Sequence, residues 1–122
     1  MAKNYFLWGL CFKNRMMETI HILYIGRHPE ILETVIRLIN ANENWSGVGV
    51  MNDEEAKEIF LRKYFSLVLL GSGIQEESET ELCTFFRNQN PDISIVQHYG
   101  GGSGLLKSEI LLALENIKIL NH

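Results

Sequence analysis

The chain has 122 residues, of which 46% are hydrophobic and 21% charged, the composition of an ordinary globular domain. This length suits one domain with a sizeable core. A net charge of -4 at pH 7 provides no basic surface for phosphate backbones, so we expect no nucleic-acid partner. Two cysteines, Cys11 and Cys83, are too few for a disulfide framework and indicate reduced thiols in a cytoplasmic protein.

An apolar segment from Tyr5 to Phe12 precedes the rest of the chain and differs from it in composition. It lacks the small-residue cleavage site of a signal peptide and is much shorter than the roughly 20 residues that a membrane span needs. We therefore predict no leader, no anchor and no membrane partner, and divide the chain into an appendage, 1–17, and a domain, 18–122. Four apolar side chains of the appendage are predicted to pack against the domain or across a dimer interface, since they would otherwise form an exposed patch: Phe6, Leu7, Trp8 and Leu10.

Predicted strands and helices alternate from residue 18 onward. The strand segments are rich in β-branched and apolar residues and read "TIHILYIG", "WSGVGVM", "SLVLL" and "ISIVQ". The helical segments repeat apolar residues at three- and four-residue spacing and read "RHPEILETVIRLINAN", "NDEEAKEIFLRKY", "SETELCTFFRNQN" and "LLKSEILLALENIKIL". Because "SLVLL" is apolar at every position but the first, it is predicted to be a central strand covered on both faces.

Local signals mark where the first three helices begin. Pro29 suits the first position of the first helix, and Asn52 is the predicted N-cap of the second. Ser78 and Glu81 have the spacing of a capping box and predict the start of the third. The first helix is predicted to pack on the sheet through a broad apolar stripe: Ile31, Leu32, Val35, Ile36, Leu38 and Ile39.

This alternation, with short loops, predicts an α/β fold with a doubly wound parallel sheet, because right-handed crossovers place helices on both of its faces. Too few residues separate Val96 from the last helix for another helix and strand, so we expect one C-terminal βα unit to be shortened or deleted. In such folds ligands bind at the carboxyl ends of the strands. The residues at those ends are Gly26, Arg27, His28, Asn52, Asp53, Gly71, Ser72, Gln97, His98 and Tyr99.

Three segments of the chain resemble a known family. "HILYIGRHPEILETVIRLI" resembles the opening of a bacterial response-regulator receiver domain, and "YFSLVLLGSGIQEES" resembles the family's third strand with the loop that follows. "NPDISIV" resembles the approach to its fourth strand. The resemblance covers about residues 20–99. It implies a flavodoxin-like, receiver-like three-layer sandwich and a role in two-component signalling in the cytoplasm of a bacterium.

The resemblance also implies that the chemistry of the family has been lost. The family's acidic pair falls on Gly26 and Arg27, and its phosphorylated aspartate falls on Gly71. Receivers need those carboxylates because Mg²⁺ prefers oxygen ligands and because the aspartate is the nucleophile toward phosphorus. Glycine supplies neither, and Arg27 places a permanent cation beside the metal position. We therefore expect no catalysis, no metal and no cofactor at a degenerate acceptor pocket formed by Gly26, Arg27, Gly71, Ser72, Gln97 and His98.

The segment "GLLKS" has two interpretations. It resembles the end of the family's fifth strand, which would make Lys107 the family's lysine. Its apolar periodicity instead favours a helix with Ser103 near the N-cap and Lys107 exposed, and we prefer this second interpretation. The preceding glycines are similar to a phosphate cradle before a helix. They do not form a Walker A motif, because Leu105 and Leu106 interrupt its order.

Two functions from different classes remain open. The first is a non-catalytic signalling module that binds a protein partner, either a signalling protein or a second copy of itself, independently of phosphorylation. Its natural surface is the last helix and the adjoining sheet edge, and exposed apolar residues there would support it. The second is a module that binds a small anion or a nucleotide through Arg27, Gly101, Gly102, Ser103, Gly104 and Lys107. The four histidines lack metal-ligand spacing, so structural or solvent-exposed roles are predicted for them.

Overall fold

The computed structural model describes residues 19–98 and 103–120. In this part of the chain four strands alternate with four helices, as predicted. They are β1 (Ile20–Ile25), α1 (Pro29–Asn40), β2 (Trp45–Val50), α2 (Asp53–Arg62), β3 (Leu67–Leu70), α3 (Glu76–Gln89), β4 (Ser94–Gln97) and α4 (Ser103–Leu120). The predicted appendage, residues 1–17, lies outside the described residues.

The four strands form one parallel sheet in the order β2-β1-β3-β4. This is the beginning of the flavodoxin-like strand order, in which the direction of winding reverses between β1 and β3. Only residues 98–102 separate β4 from α4, which leaves no room for a further helix and strand between them. The predicted shortening of the C-terminal unit is therefore confirmed.

Helices cover both faces of the sheet. On one face, α2 and α3 pack on the sheet through a cluster that includes Ala56, Phe60, Leu82 and Phe86. On the other face, α1 and α4 pack through a cluster that includes Val35, Ile39, Leu106 and Ile110. Each residue of β3 is at most 1% exposed, as expected for a strand covered on both sides.

The start of α2 follows its sequence signal, whereas the start of α3 does not. Asn52 accepts a hydrogen bond from the Glu55 N–H at 2.8 Å and caps α2. The predicted start of α3 at Ser78 is wrong, because the helix begins at Glu76 after an extended Gln75. A carboxylate in the first turn is stabilised by the positive end of the helix dipole, which favours the earlier start.

Helix α1 buries a narrower stripe than predicted. Val35 and Ile39 are buried, but Ile31 is 42% exposed. Ile31 lies in the first turn of α1, at the carboxyl edge of the sheet.

Two glycines of β2 allow α1 to pack close to the sheet. A Cβ added at Gly47 would lie 2.9 Å from Ile39 Cγ2, and one added at Gly49 would lie 2.7 Å from Leu32 Cδ2. These distances are shorter than real Cβ contacts. The glycines of "WSGVGVM" therefore serve helix packing.

None of the helices in the described part of the chain is long and apolar enough to cross a membrane.

Candidate functional site

The carboxyl ends of β1 and β3 lie side by side at the switch point of the sheet, and a buried glycine follows each strand. The Gly26 N–H donates to the Val50 carbonyl at 3.1 Å, and the Gly71 N–H donates to the Ile25 carbonyl at 2.8 Å. Both glycines therefore extend the hydrogen-bonded ladder by one residue. The structure brings these two predicted pocket residues together on neighbouring strands.

The side chain of Tyr24 occupies the space beside both glycines. Tyr24 is 1% exposed and belongs to the apolar cluster beneath α1 and α4. A Cβ added at Gly71 would meet the Tyr24 hydroxyl oxygen first, well inside van der Waals contact, and Tyr24 Cζ at 2.9 Å. A Cβ added at Gly26 would lie 2.7 Å from Tyr24 Cε2. The ring thus fills the volume that side chains at positions 26 and 71 would need.

The group that Tyr24 brings to the strand ends is a neutral hydroxyl. Burial raises the pKa of Tyr24, because the phenolate would lose its hydration. A neutral phenol is neither a carboxylate ligand for a metal ion nor an activated nucleophile. Sequence analysis did not identify Tyr24 as part of the site, since its position in "IHILYI" predicts only a buried strand residue.

Arg27 is held by two oxygen atoms at the start of α2. Its Nη1 donates to the Met51 carbonyl and its Nη2 donates to Asp53 Oδ1, both at 2.6 Å. The side chains of Arg27 and Asp53 are 25% and 22% exposed, so the ion pair is partly shielded from water. Asp53 lies in the first turn of α2, as predicted. Its pairing with Arg27 was not predicted, because 26 positions separate the two residues in sequence.

The Mg²⁺ that the receiver resemblance implies does not fit these residues. A hard divalent cation needs several oxygen ligands, whereas Gly26 and Gly71 have no side-chain oxygen. The nearby carboxylate of Asp53 is already paired with the cationic Arg27. Within residues 19–98 and 103–120, no group of three His, Cys, Asp or Glu side chains is arranged to hold a metal ion.

The loop after β3 passes close to the loop after β1. Gly73 has a φ of +90°, in the left-handed region that favours glycine. A Cβ added at Gly73 would lie 3.1 Å from His28 Nε2. Ser72, between the two glycines of this loop, is half-buried. The loop after β3 therefore packs against the His28 side chain of the loop after β1.

His98 links the end of β4 to α4. The backbone N–H of His98 donates a hydrogen bond to the Leu70 carbonyl at 2.7 Å, which attaches the residue to β3. Its side chain is 4% exposed, and its Nδ1 donates a hydrogen bond to Glu109 Oε1 at 2.5 Å. Gln97, just before it, is exposed and hydrogen-bonds to Glu79 of α3. The two predicted pocket residues at the end of β4 thus bind neighbouring helices.

The predicted anion-binding residues are only partly described. Gly101 and Gly102 lie outside the described residues, and Ser103 is the first residue of α4. Lys107 is exposed on α4, so the helical interpretation of "GLLKS" is confirmed. Arg27 donates to two acceptors of its own chain, which leaves fewer of its N–H groups for an anion.

Helix α4 presents apolar side chains to solvent as well as to the core. Leu106, Ile110 and Ala113 are buried against the sheet. Leu111 and Leu112 are 47% and 62% exposed. Two adjacent leucines therefore lie on the outer surface of the helix that follows β4.

No family model matches this sequence, and neither does any curated protein. Solved structures match the fold. A signal receiver domain of an HD domain-containing protein from Pseudomonas fluorescens Pf-5 aligns with a TM-score of 0.72 at 13% identity, covering 83% of this chain and 98% of that one. A sensor protein from Polaromonas sp. JS666 aligns with a TM-score of 0.68 at 14% identity, covering 80% and 98%.

A response regulator receiver domain protein from Clostridium thermocellum is similar to a smaller extent. Its TM-score is 0.58 at 18% identity, with 79% of this chain and 75% of that one covered. The chain therefore has a receiver-like α/β fold, as predicted.

Proposed function

We propose that the protein is a receiver-like signalling module that binds a protein partner without being phosphorylated and without catalysing a reaction. The observation that carries this proposal is the Tyr24 ring, which fills the space beside Gly71. By the receiver resemblance, Gly71 stands where the family has its phosphorylated aspartate. Position 71 has no nucleophile, and the packing around it leaves no room for one. On the same resemblance, we place the protein in the cytoplasm of a bacterium.

The charge at the strand ends supports the same proposal. The guanidinium of Arg27 is a permanent cation, and it lies where the resemblance places one of the family's metal-binding acids. A nearby positive charge disfavours a divalent cation, all the more in a partly shielded site. The Asp53 carboxylate is already paired with Arg27. Its negative charge is therefore balanced without a metal ion. The same pairing weakens the anion-binding alternative, which we do not propose.

The partner surface in this proposal is the outer face of α4. Leu111 and Leu112 expose apolar area there, and contiguous exposed apolar area is typical of protein interaction sites. The exposed residues Lys107 and Glu115 flank the two leucines along the helix and provide the polar rim of such a surface. The partner is therefore a protein with a complementary apolar patch, either a signalling protein or a second copy of this chain.

The experiment is a pull-down from the native cell with matched baits. We expect the wild-type chain to retain a partner that a Leu111→Asp, Leu112→Asp bait does not retain. An Ile31→Asp, Met51→Asp bait is the control, because it introduces the same charges at two other exposed apolar positions. Light scattering on the purified chain shows whether the partner is a second copy.

Phosphorylation independence is tested in the same pull-down. Addition of phosphoramidate and Mg²⁺ is expected to leave the amount of retained partner unchanged. A partner that is captured only after phosphoramidate treatment, or captured equally by the α4 variant, would show that this proposal is wrong.

A further inference from the structure

A shallow groove lies at the edge of the sheet where the strands begin, opposite the strand ends described above. It is lined by Phe60, Leu61, Lys63, Tyr64, Phe65, Gln89 and Asn90. These residues belong to the end of α2, the connection to β3 and the end of α3. The groove therefore lies on the face of the sheet that α2 and α3 cover, away from α4.

The groove has an exposed apolar rim above two aromatic rings that are already buried. Phe65 is 1% exposed, and its ring stacks with that of Phe60 at a centroid distance of 6.1 Å. On the rim, Leu61 is 61% exposed and Tyr64 is 69% exposed. Exposed apolar side chains at the rim of a groove form a surface that a further apolar group would cover favourably.

The described part of the chain begins next to this groove. Thr19 directly precedes β1, and the Ser66 N–H donates to the His21 carbonyl at 2.9 Å. Ser66 follows Phe65, which is part of the groove. The first residues of β1 are thus joined by a hydrogen bond to the chain that forms the groove, and any segment preceding Thr19 is tethered beside it.

The sequence before Thr19 contains a segment suited to this surface. Residues 5–12, "YFLWGLCF", are uncharged and include four aromatic residues. Residues 13–18 separate them from Thr19 and can span roughly 20 Å when extended. This reach exceeds the distance between neighbouring strands several times over, so residues 5–12 can reach the groove.

We propose that residues 5–12 dock intramolecularly in the groove and cover the exposed side chains of Leu61 and Tyr64. The tether favours this occupant over a second copy, because a short linker gives an effective concentration in the millimolar range. Aromatic side chains of the segment can pack against the exposed Tyr64 ring in the offset or edge-to-face arrangements that such rings prefer. The docked segment leaves the outer face of α4 free, so this inference does not depend on the proposed function.

Fluorescence of Trp8 tests the docking in the full chain. Trp8 and Trp45 are the two tryptophans, so a Trp45→Phe background leaves Trp8 as the reporter. We expect acrylamide to quench Trp8 severalfold less in the folded chain than in urea. Adding Leu61→Asp and Tyr64→Asp should raise quenching close to the value in urea while circular dichroism shows that the fold is kept. The single variant Tyr64→Ala perturbs the fold less and should raise quenching in the same direction.

The matched control carries Leu111→Asp and Leu112→Asp, two equivalent changes on the opposite face, and should leave Trp8 protected. Three results would overturn the proposal. In the first, Trp8 is fully quenched in the folded Trp45→Phe protein. In the second, Trp8 stays protected in both groove variants. In the third, its protection is lost on dilution, which would identify a second copy as the occupant.

Discussion

The hydroxyl oxygen of Tyr24 lies well inside van der Waals contact of the point where a side chain of residue 71 would begin, and residue 71 is glycine. The same ring lies within 2.7 Å of the Cβ position of Gly26. Because Tyr24 is 1% exposed, the ring has no solvent to move into. Tyr24, Gly26 and Gly71 therefore form one packing unit that closes the carboxyl ends of β1 and β3.

A methyl group at position 71 should destabilise the protein through this unit. We expect Gly71→Ala to lower the free energy of unfolding by about 1 to 3 kcal/mol, the usual cost of an overpacked core. Tyr24→Phe removes the hydroxyl oxygen but keeps Cζ, 2.9 Å from the Cβ position. The double variant should therefore be less destabilised than the sum of the two single variants, as measured by urea denaturation.

Tyr64→Phe is the matched control for this cycle, because Tyr64 is 69% exposed and lies at the other edge of the sheet. The effect of Tyr64→Phe on the free energy of unfolding should simply add to that of Gly71→Ala. Equal coupling for Tyr24→Phe and Tyr64→Phe would mean that Tyr24 and Gly71 do not pack as described.

The buried phenol should also make stability depend on pH in the alkaline range. Burial raises the pKa of Tyr24, so above the unfolded value the native state binds more protons than the unfolded state. The stabilisation is complete below the unfolded pKa of about 10 and is lost as the pH rises through the folded pKa. Above about pH 10, the unfolding free energy of the wild type should therefore fall faster than that of Tyr24→Phe. A constant difference between the two proteins from neutral to strongly alkaline pH would contradict this expectation.

The two hydrogen bonds that the Arg27 guanidinium donates should contribute modestly to the free energy of unfolding. Arg27→Gln loses an ion pair with Asp53 and a hydrogen bond to the Met51 carbonyl. Since both charged side chains are partly exposed, we expect a loss of about 0.5 to 1 kcal/mol. Arg27→Lys should recover only part of it, because one ammonium group replaces two separate donor nitrogens. Arg37→Gln, on the exposed side of α1, is the control and should change the unfolding free energy little.

The hydrogen bond between the side chains of His98 and Glu109 should hold α4 on the sheet. We expect His98→Ala to lower the unfolding free energy by about 1 to 3 kcal/mol, because it removes a buried hydrogen bond and leaves Glu109 without this partner. Native-state hydrogen exchange should become faster in α4 than in α1. Glu115→Ala, at an exposed position of the same helix, should not have this effect. Equal acceleration in α1 and α4 would show that His98 stabilises the domain as a whole.

The order of strands and helices was predictable because each segment carries its own local signal. β3 is apolar throughout, and Asn52 caps α2 with the predicted geometry. The start of α3 was misplaced, since Ser78 offers a capping box while the acidic Glu76 favours an earlier first turn. Where two local signals competed, the sequence alone did not decide between them.

The contacts of the site were not predictable from the sequence. The pairing of β1 with β3 places Tyr24 beside Leu69, and only this register brings the ring next to Gly71. The bond from His98 to Glu109 likewise depends on how α4 packs against the sheet. The receiver resemblance predicts a missing nucleophile at Gly71, whereas the structure shows that the Tyr24 ring lies beside this glycine.

The central claim is that the protein works without a phosphoacceptor, and intact-mass spectrometry after incubation with phosphoramidate and Mg²⁺ tests it most directly. A receiver domain that carries the acceptor aspartate, treated in parallel, is the positive control. We predict that the mass of this chain stays unchanged while the control gains one phosphoryl group. A stoichiometric, hydroxylamine-labile phosphoryl adduct on this chain would contradict the account.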